Sequence, residues 1–409
     1  MEYLELLTKQ ETWEKFYGYC AGKDHITGRE LKELRRVIDQ KTYERPLNTW
    51  LREGTFPYAS KRVINKLGND RKRIVYSFPT EVNMLLKALS YHLHEYDGLF
   101  APNLFSFRVN RSVKTAVAYL TGQPDIRDKY VYKLDIHDYF NSVDVEQMLP
   151  MVYEALPKEP LLCRLITDIL TNPYVYDGET VIREKKGIMA GIPLSSFLAN
   201  LYLSGLDRKM LKQHILYARY SDDIIVFADS AEQREQYREL LHAELAERGL
   251  TVNPKKVEQM EPHEKWTFLG VTYRDGTVDV SEASVDKLKG KMKRKARKLY
   301  RWRCRNGATA ERAIRAYIKH YNAKFYDNRN ENELTWARWF FPVITTTDSL
   351  RELDRYMVEC IRFIATGKYT KANYNLRYGT IKEYGFRSLV NEYYRDRGED
   401  LPKTIKERE

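Results

Sequence analysis

Asp135 closes the short run Tyr130–Asp135 (YVYKLD), and Asp222 and Asp223 stand side by side between two more such runs, LYARY at 216–220 and IIVFA at 224–228. These runs are rich in β-branched and aromatic residues and read as strands, which puts one acid at a strand end and two on the turn of a hairpin. Such a trio suits nucleotidyl transfer. That reaction uses two divalent ions about 4 Å apart, one to activate a hydroxyl and one to hold a triphosphate and its leaving group. Hard ions prefer carboxylate oxygens. Singly, each acid has a plainer reading, because a strand-end Asp commonly forms a turn or caps a helix and paired acids are ordinary in hairpins. The combination is what points to chemistry.

The elements that would hold these acids alternate in type. Helices are expected at 145–155, 195–212 and 231–248, the last ended by Gly249. Strands flanked by long helices describe an α+β sheet domain. Upstream, Met84, Leu85, Ala88, Leu89 and Leu93 recur at helical spacing within 81–94. A basic patch, Lys61-Arg62 and Arg71-Lys72-Arg73, leads into the strand-like Ile74-Val75-Tyr76. No repeat, low-complexity tract or linker divides the chain, so closely packed subdomains are expected. The expected boundaries are 1–60 (N-terminal helices), 61–130, 131–284 (the sheet with the acids) and 285–409 (helical and basic).

The net charge of +12 and pI near 9.2 favour an acidic polymer as partner, since clustered Lys and Arg neutralise phosphates. From Lys287 to Arg305 there are eleven basic residues and no acid, with Leu288, Met292 and Leu299 on one side. This predicts a helix tracking a nucleic-acid backbone through Lys287, Lys291, Arg294, Lys295 and Lys298; a solvated amphipathic helix is the alternative. The segment 373–394 interleaves Tyr, Arg and Asn, which suits stacking on RNA, with a Tyr-rich helical core as the competing reading. The four cysteines have no paired spacing, which speaks against a zinc ribbon or a disulfide framework and towards a reducing cytoplasm. No apolar run approaches the roughly 18 residues a membrane helix needs, so a soluble chain without a membrane partner is expected.

Tyr220-Ser221-Asp222-Asp223 resembles the YxDD signature of reverse transcriptases, and KLDIHDYF at 133–140 resembles their preceding metal-binding motif. Between them, GIMAGIPLSSFLANLY at 187–202 is similar to the G-x-P-L-S-x-x-L-A-N segment of bacterial retroelement enzymes. NLFSFRVNRSVK at 103–114, GLTVNPKK at 249–256 and WTFLG at 266–270 extend the likeness over roughly residues 60–300. The resemblance implies a right-hand polymerase fold with fingers and palm, then an α-helical thumb and C-terminal RNA-binding region. It implies that Asp135 and Asp222 ligate two Mg2+ ions, with Mn2+ as an alternative, that Asp223 supports them and that the Ile136 carbonyl completes a shell. Asp138 and Tyr139 would offer backbone amides to a deoxynucleoside triphosphate. Phe140 would exclude a 2′ hydroxyl. Lys256, with Arg71, Arg73 and Arg108, would neutralise the triphosphate. Phe268, Leu269 and Gly270 would grip the primer end. Ala190 and Gly191 stand beside the nucleotide, where many relatives carry Pro-Gln before the glycine and this chain has Met189-Ala190.

After residue 285 there is no segment of the homing-endonuclease type, no carboxylate set suggesting RNase H, and no Val-Thr-Gly triplet of the retron thumb. The tail and RKRIVYSFPTEVNMLLKAL at 71–89 resemble the defence-associated reverse transcriptases of the unknown-group type, class 2 being nearest. That likeness implies an antiphage role, with a structured noncoding RNA as template and cDNA as product. The competing readings are a group II intron-like reverse transcriptase with maturase function, an RNA-binding scaffold with vestigial catalysis, and an RNA-dependent RNA polymerase. The missing nuclease, the intact acids and Phe140 disfavour them in turn.

Overall fold

Eleven strands build three sheets among the residues that this computed structural model describes, 2–23, 26–65, 72–326, 335–370 and 375–400. They are β1 (Ala59–Asn65), β2 (Lys72–Ser77), β3 (Tyr130–Asp135), β4 (Tyr174–Asp177), β5 (Thr180–Arg183), β6 (Tyr217–Tyr220), β7 (Asp223–Ala228), β8 (Glu258–Met260), β9 (Trp266–Phe268), β10 (Val271–Arg274) and β11 (Thr277–Val280). The orders are β2-β1-β4-β5, β6-β7-β3-β8 and β11-β10-β9. With long helices around these sheets, the α+β class expected from the sequence holds.

The sheet β6-β7-β3-β8 is antiparallel throughout, and the runs chosen for their β-branched content form its centre. Leu134, Ile224, Ile225 and Val226 are buried, as a strand covered on both faces requires. The helices Val145–Ala155 and Ala231–Glu247 lie where the sequence puts them. The expected helix 195–212 is instead two, Ser195–Tyr202 and Ser204–Lys212, with Leu203 between them at φ −105° and ψ 12°. Apolar spacing runs through both pieces, so periodicity alone could not show the break. The second piece carries Asp207, whose burial beside Arg219 sets its direction.

The chain forms two compact units, Met1–Glu264 and Lys265–Glu409. In the first, the N-terminal helices Gln10–Ala21, Gly28–Asp39 and Glu44–Glu53 contribute Trp13, Tyr43 and Trp50 to the same apolar cluster as Leu134 and Ile224. Trp13 stacks on Tyr43 at 4.3 Å, and the Trp50 indole donates to Asp168 at 2.9 Å. In the second unit the meander β9-β10-β11 packs with the helices. Asp279 of β11 accepts from the Ser349 amide at 3.0 Å, at the start of the helix Asp348–Thr366. The compact unit that starts at Lys265 thus takes in β9, β10 and β11 together with the helices that follow. On the basic helix Glu282–Arg305 the buried stripe is Val285, Leu288, Met292 and Ala296, with Leu299 half-buried. Among the described residues no helix is long and apolar enough to cross a membrane.

Candidate active site

Antiparallel register sets Asp135 opposite Asp223 as the last pair of β3 and β7. Tyr220 pairs with Asp223 across the hairpin, leaving Ser221 and Asp222 as a two-residue turn with Ser221 at φ 61°. The turn is tied to β3 by the Ile136 amide, which donates to the Asp222 carbonyl at 3.0 Å. On the other side, the Asn253 amide donates to the Asp135 carbonyl at 2.8 Å and the His137 amide to Thr251 at 2.8 Å. Local strand geometry thus brings the three acids to one end of the sheet.

Asp135 is 4% exposed, while Asp222 and Asp223 are partly exposed. Burial raises the Asp223 carboxyl to about 6, reinforced by repulsion from Asp222 and Asp135. Asp222 is also raised, first by burial and then by Asp135, against the pull of Lys256 and Arg73. The Lys256 ammonium sits on Oδ2 of Asp135, and Asn253 Nδ2 lies 3.3 Å from Oδ1. Among the described residues no three His, Cys, Asp or Glu side chains already enclose a metal ion. The donor set still fits magnesium, which takes one or two carboxylates and completes its shell with water and substrate phosphate. A cation here would also relieve the repulsion that raises Asp222 and Asp223.

A glycine-bearing loop packs against this end. Gly187 has φ 51°, and a Cβ there would stand 2.4 Å from the Phe140 carbonyl oxygen; Gly191 has φ 107°, and a Cβ there would stand 2.8 Å from that of Tyr76. Only glycine allows both approaches. The Ile188 amide donates to Phe140 at 2.9 Å, the Tyr76 amide donates to Ala190 at 2.7 Å, and Ser195 Oγ donates to the carbonyls of Ile188 and Met189. Ala190 is buried and acts through its carbonyl. It does not line the adjoining cavity of about 550 Å3, which Arg73, Phe107, Phe140, Gly191 and Ser196 do line.

Phe140 is held at right angles to Phe107, 6.5 Å between ring centres. Asp138 takes a left-handed conformation (φ 45°) and starts the short helix Tyr139–Ser142, while the Tyr139 hydroxyl is buried and donates to Ala199. Beneath the hairpin lies a buried polar network. Arg219 of β6 donates through Nε to Asp207 at 2.8 Å, and also to the carbonyls of Ser221 and Asn200, both at 3.2 Å. Tyr217 donates to Asp207, and Ser106 Oγ both donates to Asn200 Oδ1 and accepts from the Ser221 amide at 2.9 Å. The Ser221 turn is thereby gripped from below through both its amide and its carbonyl.

Arg108 is taken elsewhere. It forms a two-pronged pair with Asp97 at 2.8 Å and donates to the carbonyls of Ala101 and Leu104, so the expected role on a phosphate gives way to bracing its own loop. Arg73 lines the cavity with Phe140 and Gly191, and its charge reaches Asp222. Arg71 lies outside the described residues. In the second unit, Leu269 (φ 52°) and Gly270 (φ 85°) make the tight turn between β9 and β10 that follows Phe268. Among the described residues Lys287, Lys291, Arg294, Lys295 and Lys298 pair with no acid, and Lys324 is pushed down by burial and by Lys291. Sequence reasoning did not single out Phe107, which is 45% exposed at φ 53° beside Phe140 and Tyr220, nor Tyr19 and His94, which line the same cavity. Only the unusual placement of an exposed aromatic between polar residues could have flagged Phe107.

Three comparisons bear on this geometry. A family model described as reverse transcriptase (RNA-dependent DNA polymerase) matches residues 64–273, just over half of the chain. The Escherichia coli retron Ec86 reverse transcriptase is 25% identical over 173 residues, which is 41% of this chain and 50% of that protein. The chain thus spans about half the length of that relative. Among solved structures, apo telomerase of Candida tropicalis aligns over 87% of this chain and 66% of its own, at 12% identity and TM-score 0.47. Candida albicans telomerase with a fragment of telomeric RNA aligns over 91% and 71%, at 11% identity and TM-score 0.44.

Proposed function

Because the chain belongs to the reverse transcriptase (RNA-dependent DNA polymerase) family, we propose that it is an RNA-directed DNA polymerase working with two Mg2+ ions. The observation that carries this is the direct pairing of Asp135 with Asp223, beside Asp222 and under Lys256. Asp135 and Asp222 would hold both ions, Asp223 would support them and the Ile136 carbonyl would complete one shell. When bound, the ions supply activation of the primer hydroxyl and neutralisation of the triphosphate.

The chain's own groups do the rest. Lys256 rests on Asp135 and is free to turn to the phosphate oxygens once cations neutralise that carboxylate; Arg73 adds charge from β2. The first-turn amides of Asp138 and Tyr139 have no intrahelical acceptor and suit a triphosphate oxygen. Phe140, braced by Phe107, narrows the sugar site against a 2′ hydroxyl. Phe268, Leu269 and Gly270 are assigned to the primer end, and the basic face from Lys287 to Lys298 to the backbone of the duplex. In this assignment residues 61–130 are the fingers, 131–284 the palm and 285–409 the thumb and C-terminal region.

We further propose that the template is a dedicated structured noncoding RNA and that the cDNA serves bacterial antiphage defence. The likeness of 71–89 and of the tail to defence-associated reverse transcriptases supports this, as does the match to a bacterial retron enzyme. The test is extension of a primed RNA template by the purified chain, with sequencing of the RNA that copurifies. Deoxynucleotide incorporation that needs Mg2+ and falls by at least about 10³-fold in Asp222→Ala/Asp223→Ala is expected. Faster incorporation of ribonucleotides would overturn the choice of DNA as product in favour of an RNA-dependent RNA polymerase, and a copurifying intron RNA would overturn the defence reading.

A further inference from the structure

A second cavity, of about 540 Å3, opens where the start of the helix Val145–Ala155 and the end of the helix Pro160–Thr171 meet residues 183–187. Among the described residues none lines both this cavity and that of Arg73 and Phe140. Lys186 sets its character. It is 4% exposed, and its ammonium donates to the Asn172 carbonyl at the end of the second helix. Among the described residues no carboxylate comes within 4 Å of that ammonium. Of the acids on the cavity wall only Glu184 influences it, and Glu184 is already engaged by Lys61 at 2.6 Å. Asp144 is turned to its own helix, accepting from the Glu146 amide at 2.9 Å.

A buried cation is costly unless an anion meets it, and an ammonium has three N–H bonds of which this one spends a single one on the protein. Burial lowers Lys186 to about 8, so it remains mostly charged at neutral pH. Arg183 and Lys185 line the same cavity, are exposed and form no ion pair among the described residues. Three such cations ask for more than one negative charge, which favours a phosphate over a carboxylate. Because Lys186 is buried, the phosphate must come on a molecule small enough to enter, which a polymer backbone is not.

We propose that this cavity binds a small phosphorylated molecule, its phosphate held by Lys186 with Arg183 and Lys185, and that the bound ligand steadies the loop carrying Gly187 and Gly191. The loop is tied to both sides. The Glu184 amide donates to Pro173 at 2.9 Å and the Met189 amide to Lys186 at 3.0 Å, while Ile188 and Ala190 reach Phe140 and Tyr76. Binding is independent of the polymerase reading above; its consequence for synthesis rests on it.

The experiment melts the full chain in inorganic phosphate, in adenosine 5′-monophosphate and in sodium chloride of equal ionic strength, with no divalent ion or deoxynucleotide present. Phosphate at about 20 mM should raise the melting temperature of the parent by at least about 2 °C over chloride. Lys186→Met should lose that rise and melt no lower than the parent in chloride, since it removes a buried charge. Arg183→Ser/Lys185→Ser changes only exposed side chains and should weaken phosphate binding several-fold with the fold intact. Lys256→Met should keep the rise, which separates this cavity from the acidic centre. Equal effects of the two probes mark a phosphate group alone, and a larger effect of the second marks a nucleotide. The same rise in Lys186→Met as in the parent would overturn the proposal, leaving only the general stabilisation that phosphate gives proteins. In primer extension, phosphate should lower KM for deoxynucleotides in the parent about two- to threefold relative to Lys186→Met. A chain that shifts with phosphate but makes no DNA would keep the site and refute the polymerase reading instead.

Discussion

The Lys256 ammonium lies directly on the carboxylate of Asp135, the buried member of the acidic trio. It is an internal counter-ion of that carboxylate, and a divalent ion must compete with it. Lys256→Met should therefore bind Mn2+ several-fold more tightly in the absence of nucleotide, on the order of one unit charge removed from a partly exposed pair. The same variant should raise KM for deoxynucleotides, because the triphosphate loses a cation. Electron paramagnetic resonance of free Mn2+ and steady-state extension measure the two effects, which go in opposite directions.

Asp223 gives the centre a pH signature. Its folded carboxyl titrates at about 6 against an ordinary 3.8, because burial and then Asp222 and Asp135 disfavour its charge. Between those values the folded chain holds a proton that the unfolded chain has released, so stability falls as pH rises through the window and stays lowered above it. Asp223→Asn should melt higher than the parent at pH 8 without divalent ions, by up to about 2 kcal/mol of stability, and should lose that advantage near pH 4. Melting curves at the two pH values check it, and added Mg2+ should raise the parent at pH 8.

The fully buried pair of Arg219 and Asp207 makes a prediction about stability and catalysis together. Arg219→Ala strands a buried charge and should cost about 3–5 kcal/mol, whereas Arg219→Met/Asp207→Leu should cost much less. Ser106→Ala leaves that pair intact and removes the acceptor of the Ser221 amide together with the donor to Asn200 Oδ1. It should lower kcat by about tenfold with little change in melting temperature, since it loosens the turn that carries Asp222.

Two arginines of the same segment should part company. Arg73→Ala should raise KM for deoxynucleotides with the fold intact. Arg108→Ala should instead lower the melting temperature, because it breaks the bracket to Asp97 and its carbonyl contacts, a loss of about 2 kcal/mol. Nucleotide titrations and thermal melts of both variants separate the roles.

The contrast shows what a sequence can reveal. The acids were legible because one strand and one hairpin place them, and short apolar runs announce both. Arg108 was misjudged because a basic residue near a phosphate site reads the same whether or not an acid eleven positions upstream claims it. Nothing in the sequence marks Asp207; the helix that starts after Leu203 and the burial of Arg219 make it a core residue. The grouping of β9, β10 and β11 with the later helices was not legible because these strands continue the strand pattern of the first unit, and the hydrogen bonds that tie β11 to the helices come from residues 345–349.

The amide of Tyr3 donates to the side chain of Glu159 at 3.0 Å, a partner 156 positions further on, and Trp50 waits for Asp168. At translation speeds of about 5–20 residues per second, the ribosome needs roughly 8–30 s to deliver Glu159. Throughout that interval the first helices can pack on one another, as Trp13 does on Tyr43, but lack these two later partners. A nascent chain stalled before Asp168 would leave the Trp50 indole without its acceptor and open to chaperones and proteases, which makes elongation rate a determinant of how much folded protein the cell obtains.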